Sequence, residues 1–588
     1  MPEIVKQTFE RLGFRDFRDD LTRTYTRWDY CVQYRESDFQ FVSRLMEQEG
    51  IFYFFEHEEG KHTLVLADSP HAHKPCPGQP RATFSPEGGF GESEDTVTAW
   101  QVRQELRPGR QTLRDYHFEM PAKTLEVSEN TRFSAGGNER FEVYDYPGGY
   151  AQKFNKPGER LGSVEQEGAA AARLRMEGHE ESHLVHQGES FCRAFAAGAH
   201  FELLSPPPGV GGGPYVLTSV RHSARQAAEF VTGGDGAGVV YANTFTCIPQ
   251  QTPFRPPRVT PKPTMPGPQT AVVVGPPGEE ILVDKYGRVK VQFQWDREGR
   301  HNEQSSCWVR VAQGWAGRQW GAMFTPRVGH EVIVSFLEGD PDRPVVTGGV
   351  YNAQNMPCYS LPDFKTLSYV RSDSTKGGGG FNELRFEDKQ SGEQVFIHAQ
   401  RRMDVRALGA LYETNHADRH AVIGLSGGTE PGGNFNVTVG GDNNIHIKGG
   451  RYEGVEGKLN LSVGGDVVYD FRGSHATVVG GMAELNATEV TIEALAKIVL
   501  KVGPNFIMIE PTGITIHGPL IKTLGVVTPG PFVKELATTL NLKTGDPVIE
   551  DPLDAETSDT GEAGYLDRPA APGGVRTPRP VMSKHLGT

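Results

Sequence analysis

Hydrophobic and polar positions recur at helical spacing in three short stretches and alternate with a period of two almost everywhere else. Ile4, Val5, Phe9 and Leu12 mark a first helix, ended by Gly13. Ser37-Asp38 is a second start signal, followed by Phe39, Phe41, Val42 and Leu45, with Gly50 as the breaker. Residues 165–177 predict a third helix. Between these, Ile51–Phe55 and His62–Leu66 flank Glu59-Gly60 and read as a β-hairpin, and the chain to about residue 250 continues mainly as strands. Residues 1–250 are thus an α+β region in which β predominates.

From Pro249 to Pro268 there are eight prolines in twenty residues and almost no apolar periodicity. Residues 251–270 read as a stiff, extended linker. Beyond it the alternation sharpens. Val289, Val291, Phe293 and Trp295 fall on one face of a strand; Glu280–Asp284, Cys307–Val311, Glu331–Phe336 and Arg343–Thr347 complete about five strands within residues 271–350. That is the size of a small closed barrel of the OB type. Residues 351–433 read as a neck or connector.

From Asn434 short β-runs are separated by Gly440-Gly441, Gly449-Gly450, Gly464-Gly465 and Gly480-Gly481, at spacings of 9, 15 and 16 residues, near multiples of eight. The runs Phe435–Val439, Leu459–Val463 and Val490–Ala494 alternate apolar and polar residues. So short a repeat cannot bury its apolar side alone and must stack on itself or on other chains. Residues 434–525 are therefore expected to be an elongated β-helix spike. The remainder, 526–588, is acidic from Asp546 to Glu562, then basic and proline-rich, and is expected to be disordered.

Composition sharpens this. Glycine is 71 of 588 residues, which suits many turns between short strands rather than a long bundle. Sixty basic against 74 acidic side chains leave a net charge of −14, against a nucleic-acid binder. Residues 271–350 hold nine Arg/Lys and ten Asp/Glu, so the OB-type block has no basic groove in its composition, and Trp295, Trp308, Trp315 and Trp320 read as core rather than as base-stacking platforms. Six scattered cysteines without a C-x-x-C pair are neither a disulfide framework nor a zinc ribbon. No run approaches the ~18 apolar residues of a membrane span, and Met1-Pro2-Glu3 opens no ordinary secretory signal, so assembly in the cytoplasm is expected.

The strongest chemical motif is His179-Glu180-Glu181-Ser182-His183, a literal H-E-x-x-H, with His186 three residues on. On a continuous helix the two histidines would share a face and hold zinc with Glu180 as general base. The competing reading is chance, because Gly188–Cys192 reads as the start of a strand. His71, His73 and Cys76 are a second possible cluster, set among Pro70, Pro75 and Pro77 and therefore read as an irregular loop. Gly377–Gly380 precedes Phe381-Asn382 rather than Lys-Ser/Thr; it is no P-loop and reads as a flexible joint. The expectation is no enzyme, no cofactor and no metal.

Three blocks carry a resemblance: Asp284–Phe293, Ser305–Gly317 and Pro326–Pro344. Together with Arg35–Phe39, Glu47–Phe54 and Phe381–Lys389 they make the chain, from about residue 2 to about 525, similar to the VgrG spike family of bacterial type VI secretion systems. The resemblance implies a mainly β fold like the hub and spike of a contractile phage tail: a hub of β-barrels, an OB barrel and a trimeric β-helix needle. It implies a homotrimer that sits on an Hcp tube, carries a PAAR-repeat protein on the needle's end and delivers effectors, one of which could be recruited by residues 526–588. That end is expected at Ile514, Ile516, Leu520 and Ile521. The chain would be made in the cytoplasm and then secreted to the exterior or a target cell. Against the family pattern the hub starts late, so residues 2–80 are expected to leave strand edges or apolar faces uncovered and to join the tube poorly. A phage-like spike binding surface glycan and, more remotely, a zinc protease using His179 and His183 are the alternatives.

Overall fold

The computed structural model describes residues 1–86, 95–225, 240–424 and 433–522. It divides into two compact units, Met1–Arg406 and a second beginning at Ala407. The expected tail, 526–588, lies outside the described residues.

The three helices lie where the spacing places them: α1 is Pro2–Arg11, α2 Asp38–Glu49 and α3 Val164–Glu181. Helix α2 starts with a complete capping box: the Ser37 hydroxyl accepts from Gln40 N and the Gln40 side chain accepts from Ser37 N. Gly50 ends it at φ 65°, and a Cβ there would sit 2.9 Å from Leu174 Cδ2, so the position demands both the left-handed backbone and the absence of a side chain. Phe52–Glu58 and Lys61–Ala67 form the expected hairpin, to which Phe17–Asp20 adds as a parallel edge. Leu45, Ile51 and Leu66 seal this sheet against α1 and α2.

A six-stranded sheet follows in the order Arg81–Thr83, His200–Leu204, Gly213–Arg225, Val240–Pro249, Leu184–Ser190 and Val97–Gln104. Its core is aromatic, with Phe195, Phe201 and Phe245 in mutual contact. Helix α3 closes a third sheet, Leu125–Asn130, Arg110–Asp115 and Glu142–Asp145, over buried Tyr150.

The OB-type barrel is present. Its strands run Lys290–Phe293, Gln269–Val274, Glu331–Phe336, Pro344–Val350 and Arg310–Val311, and the bridge between Val289 and Val309 joins the two ends. Val289, Val291 and Phe293 are buried as alternation requires. Two expectations fail here. Glu280–Asp284 pairs with no strand; it runs as irregular chain into a turn at Lys285-Tyr286, where Asp284 accepts from Tyr286 N and Arg288 N. Of the four tryptophans only Trp295 packs against the barrel core, stacked on Phe293; Trp308 is half-buried, and Trp315 and Trp320 are 64% and 58% exposed, meeting edge to face across a small hairpin. Amphipathic indoles at turns follow turn geometry, not strand alternation.

The proline-rich segment is extended, with no helix or strand from 251 to 268, but it is not a free linker. Buried Arg255 pairs with Glu177 of α3 at 2.8 Å and donates to the carbonyls of Gly50 and Asp68. Thr260 binds Glu47, and Lys262 reaches Asp340 and Asp342 of the barrel. The hub and barrel also touch directly. The Asn155 side chain pairs with both backbone groups of Trp308, and fully buried Arg288 pairs with Asp284 while donating to Asn155 O. Asp342 further accepts from Val32 N. The prolines straighten the segment; the charged residues between them bolt it down. Gly377–Gly380 is likewise tied, with Gly377 N on Glu280 and Lys376 on Glu279.

The second unit has no enclosed core of its own, as expected of a needle shared between chains, and differs from expectation in where the repeat begins. The backbone bends at 408–409, 416–417 and 424, and again at 440–441, 448–449, 456–457, 464–465, 472–473 and 480–481, one bend every eight residues. The repeat therefore begins near Leu408, not Asn434. Between Ala407 and Lys497 the described residues form no strand pair and are almost all exposed. One chain alone makes extended runs, not a β-helix, because it offers no second strand at hydrogen-bonding distance. Pairing within the chain resumes only in the meander Ile498–Val502, Asn505–Glu510 and Gly513–His517.

Two consequences are measurable. Arg255→Ala leaves Glu177 with Arg173 alone and strips the carbonyls of Gly50 and Asp68 of their donor, so the first unit should lose about 1–3 kcal/mol, read as a fall in the urea midpoint. Glu56 is held down to about 2, chiefly by the Arg18 fork and helped by Lys74 against the opposing effect of burial. Its contribution is complete above its ordinary 4.5 and is lost as pH falls from there toward 2. Thermal melts across that window should show a falling midpoint, with a shallower slope in Glu56→Gln.

Candidate functional site

The H-E-x-x-H string straddles a helix end. Helix α3 stops at Glu181, so His179 and His183 do not share a helical face. His179 Nε2 lies 3.2 Å from Gln111 Oε1, and its pKa is lowered by burial and then by Arg107 and Arg175, which keeps the ring neutral. His183 Nδ1 lies 2.8 Å from Glu105 O, with its ring stacked on Phe133. The nominal general base is fully engaged: buried Glu180 accepts from Thr131 Oγ1, Arg132 N and the Arg132 guanidinium. His186 sits on the next strand and accepts from Trp100 Nε1. These residues lock α3 to the neighbouring strands.

The second cluster does not converge either. His73 stacks on Phe52 and bonds Gly198 O, Cys76 is buried with its thiol pushed up to about 11 by burial, and His71 is at the surface. Among the described residues no group of three or more His, Cys, Asp or Glu side chains is placed to hold a metal.

What the structure does present is a mechanical surface. Along the repeat, Ile423, Val439, Ile447, Val455, Val463, Phe471 and Val479 recur in one phase, each just before a bend. The glycines at 441, 449, 457, 465, 473 and 481 keep the same period. None of these six takes a left-handed backbone, and a Cβ on any of them would meet nothing within 4 Å of its own chain. Neither conformation nor packing inside one chain calls for glycine there; close approach by another backbone does. At the far end, Ile514 and Ile516 lie on the last strand of the meander and Leu520 and Ile521 beyond it, all four exposed. Sequence reading missed the hub–barrel bolts Asn155, Lys262 and Arg288, and Arg255, which ties the proline-rich segment to the hub; none carries a local signal. The phase of the repeat upstream of Asn434 was legible at Gly409, Gly424 and Gly433.

Three family models match in sequence along the chain. Residues 1–228 match the phage tail baseplate hub (GPD), 279–351 the type VI secretion system/phage-baseplate injector OB domain, and 368–479 the bacteriophage T4 gp5 C-terminal trimerisation domain. Hub, OB barrel and trimerisation segment in this order define the spike class of contractile injection machines. The spike protein VgrG1a of Pseudomonas aeruginosa is 46% identical over 407 residues, 69% of this chain and 61% of its own length. The actin cross-linking toxin VgrG1 of Vibrio cholerae is 35% identical over 465 residues, 79% of this chain and 40% of its own. The chain is a member of the VgrG spike family of type VI secretion systems over the residues so aligned. It spans about three-fifths of the length of VgrG1a. The solved Escherichia coli c3393 protein, a component of the type VI secretion system, overlays with a TM-score of 0.37 at 21% identity, covering 59% of this chain and 71% of that one.

Glu180→Ala should cost about 1–3 kcal/mol by stranding its donors, while elemental analysis of either protein after dialysis finds no bound zinc. Stoichiometric zinc lost specifically in that variant would contradict the structural role.

Proposed function

We propose that this chain is the structural spike of a type VI secretion system, a homotrimeric puncturing tip without catalytic activity of its own. The observation that carries the reading is the repeat. An extended stretch has apolar residues and glycines in fixed eight-residue phase and no backbone pairing within the chain, and it can satisfy its hydrogen bonds and bury its side chains only against copies of itself. The match of 368–479 to a trimerisation domain supports three as the number. Once paired between chains, the needle resists bending, because bending breaks many hydrogen bonds together.

In this reading the first unit seats the needle on an Hcp tube, and a PAAR-repeat protein covers the far end. Of the four residues expected there, Leu520 and Ile521 extend past the last strand, and the tip contact is assigned to them. Effectors would travel as cargo or as fused domains; the Vibrio relative is itself named as a toxin. Assembly takes place in the cytoplasm, and firing carries the spike out. No helix among the described residues is long and apolar enough to cross a membrane, so passage through a target envelope would be mechanical.

Sedimentation equilibrium of the full chain should give a trimer, and Leu520→Asp with Ile521→Asp should abolish capture of a PAAR-repeat protein while leaving the trimer intact. A monodisperse monomer at micromolar concentration would overturn the proposal.

A further inference from the structure

An eight-residue repeat poses a problem that its own residues cannot solve. Sliding one copy by one repeat puts the glycines of the 441–481 row opposite one another and residues of the Val439, Ile447, Val455, Val463 row opposite others of that row. Register is weakly specified in glycine-rich, evenly patterned strands. Something outside the repeat must set it.

The meander at the end of the repeat has the properties required. It breaks the period: the last bend is at 495–496, and the next three strands pair with one another instead of waiting for a partner chain. Its own register is fixed by tight turns, at Gly503-Pro504 with Gly503 at φ 55°, and at Pro511-Thr512. Its two faces differ. On one, Ile498, Ile509 and Ile514 form a cross-strand row and Leu500, Ile507 and Ile516 the next, six aliphatic side chains with no charge among them. Five of the six are exposed, Ile498 being half-buried. The other face is mixed: Val499, Met508 and Thr515 form one row and Lys501, Phe506 and His517 the next, with the His517 ring stacked on Phe506 at 5.2 Å. The second face carries groups that suit water; the first rows carry none.

We infer that the aliphatic face of this meander is a register clamp, closed by the same faces of the two other copies of the chain. The inference rests on the trimeric reading above and deepens it. The occupant is a copy rather than an unrelated partner because the face follows directly on strands that already require copies. It is also backed on its own sheet by the face with Lys501, Thr515 and His517, which would become the outside of a closed three-sheet prism. Six side chains per copy then meet only when the three chains are level, since a slip of one repeat displaces a whole meander past its neighbours and leaves both rows uncovered. Ile514 and Ile516 belong to this seam, which leaves the tip contact to the residues after it.

The test is pulsed electron–electron distance measurement on the full chain, spin-labelled at Asn486→Cys in a Cys358→Ser background, Cys358 being the exposed thiol. A level trimer gives one narrow distance. In Ile507→Asn with Ile509→Asn the chain should still sediment as a trimer but show a second, longer distance or a broad distribution. Thr515→Lys on the opposite face should keep the single distance, and Ile507→Leu with Ile509→Leu should restore it. A single narrow distance retained in the double Asn variant would overturn the clamp. So would an unsubstituted trimer with broad distances that narrow only when a PAAR-repeat protein is added, which would give the face to the tip partner. A monomeric unsubstituted chain would overturn the trimeric reading itself and the clamp with it.

Discussion

From Ala407 to Lys497 no backbone amide among the described residues finds a backbone carbonyl within its own chain. That single constraint organises the protein. Extended chain of this kind costs about 1–2 kcal/mol per residue in backbone entropy and recovers nothing from a ladder until a partner arrives. The apolar residues placed before each bend are half-exposed, with nothing among the described residues of the same chain to cover them.

The first unit is built the opposite way. Its sheets close on aromatic and aliphatic cores within one chain, and its buried ions are paired, as Arg44 is with Glu36 and Lys153 with Glu49 and Glu167. Buried pairs of this kind are poor sources of net stability but strict about geometry. Asn155, Arg288, Lys262 and Asp342 place that strictness at the junction of hub and barrel. Loss of alignment at that joint strands buried charges at once.

The H-E-x-x-H string shows how a motif is decided. Its residues are all present, but α3 ends inside it, and Arg132 has taken the carboxylate that would have served a metal. Nothing in five residues of sequence says where a helix stops when the stop is a tertiary event. Here the chain turns at Ser182 to enter the strand Leu184–Ser190, which lies between two others of the six-stranded sheet.

The sequence by itself determined whatever depends on near neighbours along the chain. The capping box at Ser37, the hairpin at Glu59-Gly60, the inward set Val289, Val291 and Phe293, and the glycine period of the spike were all legible, because caps, turns and alternation are local physics. Only the tertiary structure decided what depends on residues far apart. It turned the proline-rich segment from a spacer into a strap through Arg255 and Lys262. It moved Trp315 and Trp320 to the surface and left Glu280–Asp284 without a strand partner. It also showed the repeat to start near Leu408 and its strands to lack any partner in one chain. Local pattern specifies which face is apolar; what covers that face is set by long-range pairing, which no local pattern encodes.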